Sequence, residues 1–399
     1  MLLKIAHTYR SSFSDLSRET WLLSLVLLVN RSSTMVAPFM SMYITQSMHR
    51  SIADAGLIIT LFGAGAVAGS SVSGYFIDRF SFRAVQVFTA IAGGLLFLLF
   101  GYVQDFSLLC VMTVLLSFVV EAFRPANAAA VAAYSTPQNL TRSYSLNRLA
   151  MNVGWALGTS VGGILAAINY HLLFWVEGVV YMIVGGLVLT LLPAVKQPVK
   201  PAVAAEKPLE QSSPWKNSYL LKFLMIVIIY MSCFMIMFRL APVYWKESLH
   251  INEATIGMLL GLNGVIIALF EMVLVRYWES RRSAIYYIIS GVIATTLGYT
   301  LLVVPGMAPM VAAAGSMIFL TLGEMMALPF INTVIMSKAN EHNRGKFAAA
   351  FAVTWSAAQV LGPGGGALIT QTWGYNALWI TLIIVCMSCA LAFKFINKK

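Results

Sequence analysis

Charged residues are scarce in this chain, where Asp, Glu, Lys and Arg together make up 10% of 399 residues. Soluble domains carry about 25% charged residues, so this composition excludes an ordinary soluble protein. Histidine and cysteine are also few, at five and four residues, and the histidines are scattered. Their spacing excludes a compact metal site, and the sequence has no glycine-rich phosphate loop with a lysine. We therefore expect no enzyme activity, no metal and no cofactor.

Apolar sequence is what the chain has in excess, with 59% hydrophobic residues and a mean hydropathy of +0.80. Most of it must lie in lipid, where every backbone polar group needs an internal partner. The apolar runs are about 20 residues or longer, which fits helices, because barrel strands would be about 10 residues with alternating polarity. Twelve spans are predicted, at about 20–46, 52–77, 84–104, 107–134, 142–167, 170–194, 218–245, 253–277, 283–304, 308–337, 345–370 and 375–396.

Basic residues outnumber acidic residues by 26 to 15, which gives a net charge of +11. Nearly all the loop Lys and Arg lie on the side that holds both termini, and the opposite loops contain only Arg50 and Lys246. Cytoplasmic loops of membrane proteins are enriched in these residues. We therefore expect a multi-pass protein of the cell (inner or plasma) membrane with both termini in the cytoplasm. The charge then reflects topology in the lipid bilayer, and no nucleic-acid partner is expected.

The second half of the chain repeats the first. YITQSMHRSIADAGL at 43–57 matches YWKESLHINEATIGM at 244–258, a shift of about 201 residues. A polar stretch rich in Pro, Lys, Glu and Ser separates the halves and is typical of a flexible linker. The predicted domains are 1–195, a cytoplasmic linker at 196–217, and 218–399. Such a repeat predicts two similar helical bundles with a site between them, an architecture found mostly in transporters.

A charged motif follows the second span, GYFIDRFSFR at 74–83. It resembles the signature loop between spans two and three of the major facilitator superfamily. The resemblance implies an all-α membrane protein with twelve transmembrane helices in two pseudo-symmetric six-helix bundles. It further implies that Gly74 allows close helix approach, that Asp78 faces a helix N-terminus of the other half, and that Arg79 and Arg83 complete a conformational latch.

Two clusters of small residues lie in the fifth and eleventh spans. GWALGTSVGG at 154–163 resembles the antiporter motif of the same family, with Thr159 where the motif has proline, and LGPGGG at 361–366 is a second Gly-Pro cluster. Small residues let helices pack closely, and a proline bends a helix. Ordinary tight packing and an antiport-specific role both fit. The expected helix-packing residues are Gly154, Gly158, Gly162, Gly163, Gly362 and Pro363.

Charges inside the spans are the sharpest functional signal, because each costs about 2.5–3.5 kcal/mol on insertion scales unless it is paired or hydrated. LGEMMALPFINT at 322–333 resembles a stretch in the tenth span of proton-coupled multidrug exporters. Our order for the proton site is Glu324, Glu121 and Glu271. Fixed ion pairs between helices are the structural alternative. We expect Glu121 and Arg124 to share a helix face, and Glu177, Arg148 and Arg239 to be gate or rim residues.

The leading functional interpretation is a monomeric, proton-coupled transporter of a small organic molecule, resembling the drug:proton antiporter branch and driven by the proton gradient. The expected substrate contacts are Asn30, Arg31, Arg124, Asn127 and Asn332. Two arginines near the midplane would suit an anionic or carboxylate group, so a proton-coupled symporter for uptake of peptides or organic anions is the first alternative. A non-transporting membrane sensor is the second.

Overall fold

A computed structural model describes residues 16–136, 139–194, 216–279, 281–338 and 344–396, and every regular element in these ranges is helical. The helices, in chain order, are α1 (Arg18–Ser32), α2 (Val36–Met42), α3 (Ile52–Phe80), α4 (Phe82–Phe100), α5 (Phe106–Glu121), α6 (Phe123–Tyr134), α7 (Leu140–Ile168), α8 (His171–Leu191), α9 (Ser218–Arg239), α10 (Ala241–Glu247), α11 (Glu253–Glu279), α12 (Ala284–Leu301), α13 (Pro309–Met336) and α14 (Arg344–Ile396). A wider helical turn, Tyr43–Ser47, extends α2.

Eleven helical segments in the described residues are long and apolar enough to cross a membrane. The last of them covers the eleventh and twelfth predicted spans, which meet at Gly374. Gly374 has a φ of 80°, a left-handed conformation that only glycine adopts without strain. The twelve predicted spans are therefore all found, and the predicted all-α membrane fold is confirmed.

Polar side chains at the span ends explain why the helices begin where they do. Ser17, Asp105, Asn217 and Ser283 each accept a hydrogen bond from a backbone N–H in the first turn of the helix that follows. These bonds satisfy donors that have no partner within the helix. Apart from the segment between Leu191 and Ser218, each span begins within eight residues of the end of the one before it.

The chain forms two compact units, one from Met1–Val36 with Gly65–Ala202 and the other from Ala37–Ala64 with Val203–Lys399. The chain passes from one unit to the other inside the first and second spans. The predicted linker at 196–217 lies almost wholly outside the described residues. The predicted domain boundaries therefore stay a prediction.

The first unit has a hydrophobic core built by helices α1, α4, α6 and α8. Leu23 and Val26 of α1, Phe82 of α4 and Phe123 of α6 are buried in it. Tyr134 closes one end, because its ring packs edge-on against Phe82 and its hydroxyl donates to the Pro193 carbonyl at 2.7 Å. These helices therefore pack around a shared hydrophobic core.

Aromatic residues whose hydroxyl groups are hydrogen-bonded stabilise the second unit. Tyr230 of α9 and Thr295 of α12 share a hydrogen bond of 3.1 Å, and Tyr299 donates to the Cys233 carbonyl at 2.6 Å. The ring of Trp379 stacks on Tyr299. Helices α12 and α13, and likewise α9 and α14, pack along their length.

Residues 37–64 of the first half pack within the second unit. The Gln46 amide donates to Glu247 at 2.8 Å, and the Ala53 N–H donates to the Gln371 side chain at 3.2 Å. A Cβ at Gly56 would run into the side chain of Ala367, so α3 and α14 touch through their backbones. The ends of the first two spans are therefore bound to the seventh and eleventh spans.

The sequence repeat is also a structural repeat. His49 and His250, which occupy matching positions, have φ angles of 53° and 54°. Left-handed backbone is uncommon for residues other than glycine. The Arg50 N–H donates to the Ile44 carbonyl at 3.0 Å, and the Ile251 N–H donates to the Trp245 carbonyl at 2.9 Å. The two turns thus leave their helices through the same unusual conformation.

Candidate functional site

A polar cluster in the second unit joins the eighth and tenth spans. The Asn263 side-chain nitrogen, on α11, donates to the Glu324 carboxylate at 2.9 Å and to the Thr321 hydroxyl at 3.1 Å, both on α13. Asn263 and Thr321 are buried, and Glu324 is half-buried. All three lie near the middle of apolar helices. The arrangement holds a titratable carboxylate at membrane depth, with an amide donor aimed at it.

The other expected residues of this unit lie apart on the same two helices. Glu271, on α11, is buried with 5% exposure. Asn332, two turns beyond Glu324 on α13, is exposed. Pro329 lies inside α13 between Glu324 and Asn332 and removes one backbone donor there. The described contacts tie Asn263 to Glu324, and Asn263 is a residue that the sequence analysis missed.

A fully buried carboxylate, that of Glu177, lies where the first span is interrupted. Glu177, on α8, accepts hydrogen bonds from the Met35 N–H at 3.0 Å and the Val36 N–H at 2.7 Å. These amides begin α2, just after the break that follows α1. Glu177 is only 3% exposed and is therefore a buried partner of the helix break, while the expected gate or rim role stays a prediction.

Asn30 and Arg31, two expected substrate contacts, belong to this buried region. Asn30 is 1% exposed, lies beside the Tyr181 hydroxyl, and its side-chain nitrogen has no hydrogen-bond partner. The Arg31 Nε is buried and also lacks a hydrogen-bond partner. Asn30 and the Arg31 Nε are therefore enclosed by protein at the break in the first span.

Two glycines of the fifth span hold α7 against this region. A Cβ on Gly154 would lie 2.5 Å from the Arg31 Cβ, and one on Gly158 would lie 2.8 Å from the Arg31 carbonyl oxygen. Real side chains do not approach so closely, so each position accepts only glycine without movement of α1. The glycines thereby fix the end of α1 that carries Arg31.

The remaining expected packing residues are also enclosed. Gly162 and Gly163 are buried on α7. In the eleventh span, a Cβ on Gly362 would run into the Ser232 carbonyl of α9, and Pro363 is buried beside it. Small residues again mark a place where two helices meet through their backbones.

Glu121 and Arg124 lie three residues apart in the fourth span. The fourth span is interrupted at Ala122, between α5 and α6. Within the described residues no ion pair or hydrogen bond joins the two side chains, and Arg124 is exposed while Glu121 is half-buried. Ala122 keeps helical backbone angles (φ −67°, ψ −16°), so the expectation that the two residues share a helix face stays a prediction.

Asn127, another expected substrate contact, is occupied within the first unit. Its side-chain nitrogen donates to the Asn147 side-chain oxygen at 2.8 Å, which ties α6 to α7, and both residues are largely buried. The sequence analysis did not single out Asn147. The sequence did contain a signal for Asn147 and for Asn263. Each is a single amide side chain in an apolar span, and a buried amide needs a hydrogen-bond partner.

The latch motif lies at the junction of α3 and α4. Arg83 donates to the Leu189 carbonyl near the end of α8 at 2.6 Å, and Arg79 donates to the Tyr75 hydroxyl at 2.9 Å. Asp78 is exposed. A Cβ on Gly74 would meet no described atom within 4 Å, so the close helix approach expected there is not seen. The latch role itself stays a prediction.

We expect Asp78→Asn to slow transport about 5- to 150-fold, the range of typical coupling energies between two states. The change removes a charge that would stabilise one conformational state, while substrate affinity should stay close to wild type because the loop is far from the membrane interior. Initial rates and binding constants in the same preparation measure the two effects. Asp54→Asn, at the other end of α3, is the matched control, and wild-type rates in Asp78→Asn would refute the latch.

No group of three or more His, Cys, Asp or Glu suited to a metal occurs among the residues that the structure describes. What the fold and the polar clusters define is a polytopic helical membrane protein with charged residues held at membrane depth, the class that includes secondary transporters. The family profile of the Major Facilitator Superfamily matches residues 22–363. The chain belongs to that family, whose members are transporters and not enzymes.

Individual relatives are distant. The chain is 23% identical over 362 residues to the uncharacterized MFS-type transporter YttB of Bacillus subtilis (strain 168), covering 88% of this chain and 87% of the relative. It is 23% identical over 371 residues to a Na(+), Li(+), K(+)/H(+) antiporter of Planococcus maritimus, covering 84% and 85%. Among solved structures, a POT family transporter in complex with a thioalcohol-conjugated peptide superposes with a TM-score of 0.81 at 15% identity, covering 97% of both chains.

Proposed function

We propose that this transporter is coupled to protons and exchanges a small solute for H⁺ by alternating access. The observation that carries the proposal is the Glu324 carboxylate, held by the Asn263 amide within apolar helices at 2.9 Å. Apolar surroundings favour the neutral acid, whereas a hydrogen-bond donor favours the carboxylate. A group under both influences can take up and release a proton when its access to water changes.

Antiport is favoured over symport by two observations. The Planococcus maritimus relative is named as a cation/H⁺ antiporter. In addition, the anionic-substrate alternative needs arginines that are open to a substrate near the midplane, and the Arg31 Nε is buried. A cation or a neutral drug-like solute, exchanged for a proton that neutralises Glu324, is therefore the substrate class we propose, resembling the drug:proton antiporter branch.

Transport into vesicles tests the proposal. Purified protein reconstituted in liposomes with an imposed pH gradient would be offered Na⁺, K⁺, a panel of cationic and neutral drugs, and a panel of dipeptides and organic anions. Antiport predicts solute movement against proton flow. Movement of a peptide or anion with the proton flow would instead establish the symport alternative, and a wild type that moves no solute faster when the gradient is imposed would refute coupling.

We propose that both termini and the linker face the cytoplasm. A cysteine placed at Ser212 should be labelled by a membrane-impermeant maleimide only after cells are opened, because the basic loops are retained inside. The Cys110→Ala protein is the matched background, since Cys233, Cys386 and Cys389 are buried whereas Cys110 is partly exposed. Labelling of Ser212→Cys in intact cells would reverse the topology.

A further inference from the structure

The first span crosses from one compact unit to the other within a single turn. Val36 is the last residue of this segment in the first unit and Ala37 is the first in the second. The crossing lies at the start of α2, directly after the interruption that follows α1. A break in a helix is a place where backbone angles can change at low cost, because fewer hydrogen bonds restrain them.

The sequence explains the interruption. Pro38 lies in the first turn of α2, where its missing N–H is tolerated, but in a continuous helix its ring would clash with the Thr34 carbonyl, four residues earlier. The helix therefore restarts, and its first backbone donors have no partner within it. The Thr34 N–H turns back to the Arg31 carbonyl at 3.1 Å, and the N–H groups of Met35 and Val36 are among those that remain.

The two sides of the crossing are each held by a different side chain. Within the first unit, one Glu177 oxygen accepts from the Met35 N–H at 3.0 Å and from the Val36 N–H at 2.7 Å, and Glu177 is 3% exposed. Within the second unit, the Arg239 guanidinium donates to the Ala37 carbonyl, and the Ser41 hydroxyl donates to the Arg239 carbonyl at 2.6 Å. The side chain that restrains the backbone therefore changes from Glu177 at Val36 to Arg239 at Ala37.

We propose that Glu177 is a positioning residue that fixes the pivot of the first span during transport. It holds Met35 and Val36 to the first unit, so that bending is confined to the junction with Ala37. The proposal rests on the alternating-access mechanism proposed above, but it does not depend on protons or on the identity of the substrate. It predicts that removal of the carboxylate frees the two amides and destabilises the arrangement in which Gln46 meets Glu247.

Two substrate-independent measurements test it on the full-length protein in lipid nanodiscs. Hydrogen exchange of the peptide that contains Met35 and Val36 reports whether the two amides are held. Cross-linking of Gln46→Cys to Glu247→Cys by a short bifunctional thiosulfonate, in a Cys110→Ala background, reports how often these side chains meet. We expect Glu177→Ala to speed exchange at the two amides at least 10-fold and to slow cross-linking at least 5-fold.

Matched variants separate positioning from loss of fold. Leu173→Ala removes a buried side chain one turn away on the same face of α8 and should leave both readouts within 2-fold of wild type. Glu177→Gln keeps an acceptor oxygen and should restore both readouts to within 3-fold. Wild-type exchange in Glu177→Ala, or a glutamine variant that behaves like alanine, would overturn the proposal. Because no proton gradient is applied, failure of proton coupling leaves this result unaffected.

Discussion

Glu324→Gln is expected to abolish accumulation driven by the pH gradient while leaving solute exchange down its own gradient measurable. Glutamine has the shape of the protonated acid, and its side-chain oxygen can still accept from Asn263, which now donates at 2.9 Å. It cannot titrate, so no proton can be exchanged for the solute. The gradient-driven rate should fall at least 10-fold, measured as solute flux in liposomes with and without an imposed pH difference.

The same substitution at the other two candidates is the control. Glu121→Gln and Glu271→Gln should retain a response to the gradient, because neither residue lies within the Asn263 cluster in the described contacts. If only Glu121→Gln loses the response, the proton site lies at the interruption of the fourth span and our ranking is wrong. If the response survives in all three variants, coupling by these carboxylates is refuted.

Gly154→Ala is expected to destabilise the protein by about 1–3 kcal/mol, the usual cost of overpacking. The new methyl group would lie 2.5 Å from the Arg31 Cβ and 2.9 Å from the Leu28 carbonyl oxygen, and backbone atoms cannot move aside as a flexible side chain can. Helix α1 must therefore shift, and Arg31 shifts with it away from Glu177. A lower apparent Tm in detergent and lower yield of monodisperse protein would measure the effect.

Gly186→Ala is the matched control, because a Cβ there would meet no described atom within 4 Å. It should leave the Tm unchanged or raise it slightly, since alanine favours helix over glycine by up to about 1 kcal/mol. Equal melting temperatures for Gly154→Ala and Gly186→Ala would show that α1 and α7 do not pack as closely as described. Loss of folded protein only at Gly154 would agree with the structure.

The spans could be predicted from the sequence because hydropathy measures how each segment partitions into lipid, which is a local property. The break at Gly374 and the repeated turns at His49 and His250 are likewise encoded locally. The depth of a residue in the membrane could also be estimated by counting from the ends of its span. This is why Glu324 was recognised as an acidic residue near the middle of a span.

Which helices lie next to one another in the membrane could not be predicted in this way. Every face of a membrane helix is apolar, so the pattern does not show which face meets protein and which meets lipid. Asn263 was therefore missed as the donor to Glu324, and Asn147 as the partner of Asn127. Glu121 and Arg124 are a further example, because their three-residue spacing does not show which neighbouring helix, or lipid, their side chains meet.

The sequence by itself determined the class of protein: an apolar chain with few charges, twelve spans, a duplicated half and a charged loop motif. Only the tertiary structure decided which charges are engaged. Glu177 is 142 residues from Met35 along the chain, yet its carboxylate holds the Met35 amide at 3.0 Å. Such contacts depend on how helices that are distant in sequence pack together, because burial requires each polar group to find a partner wherever the fold supplies one.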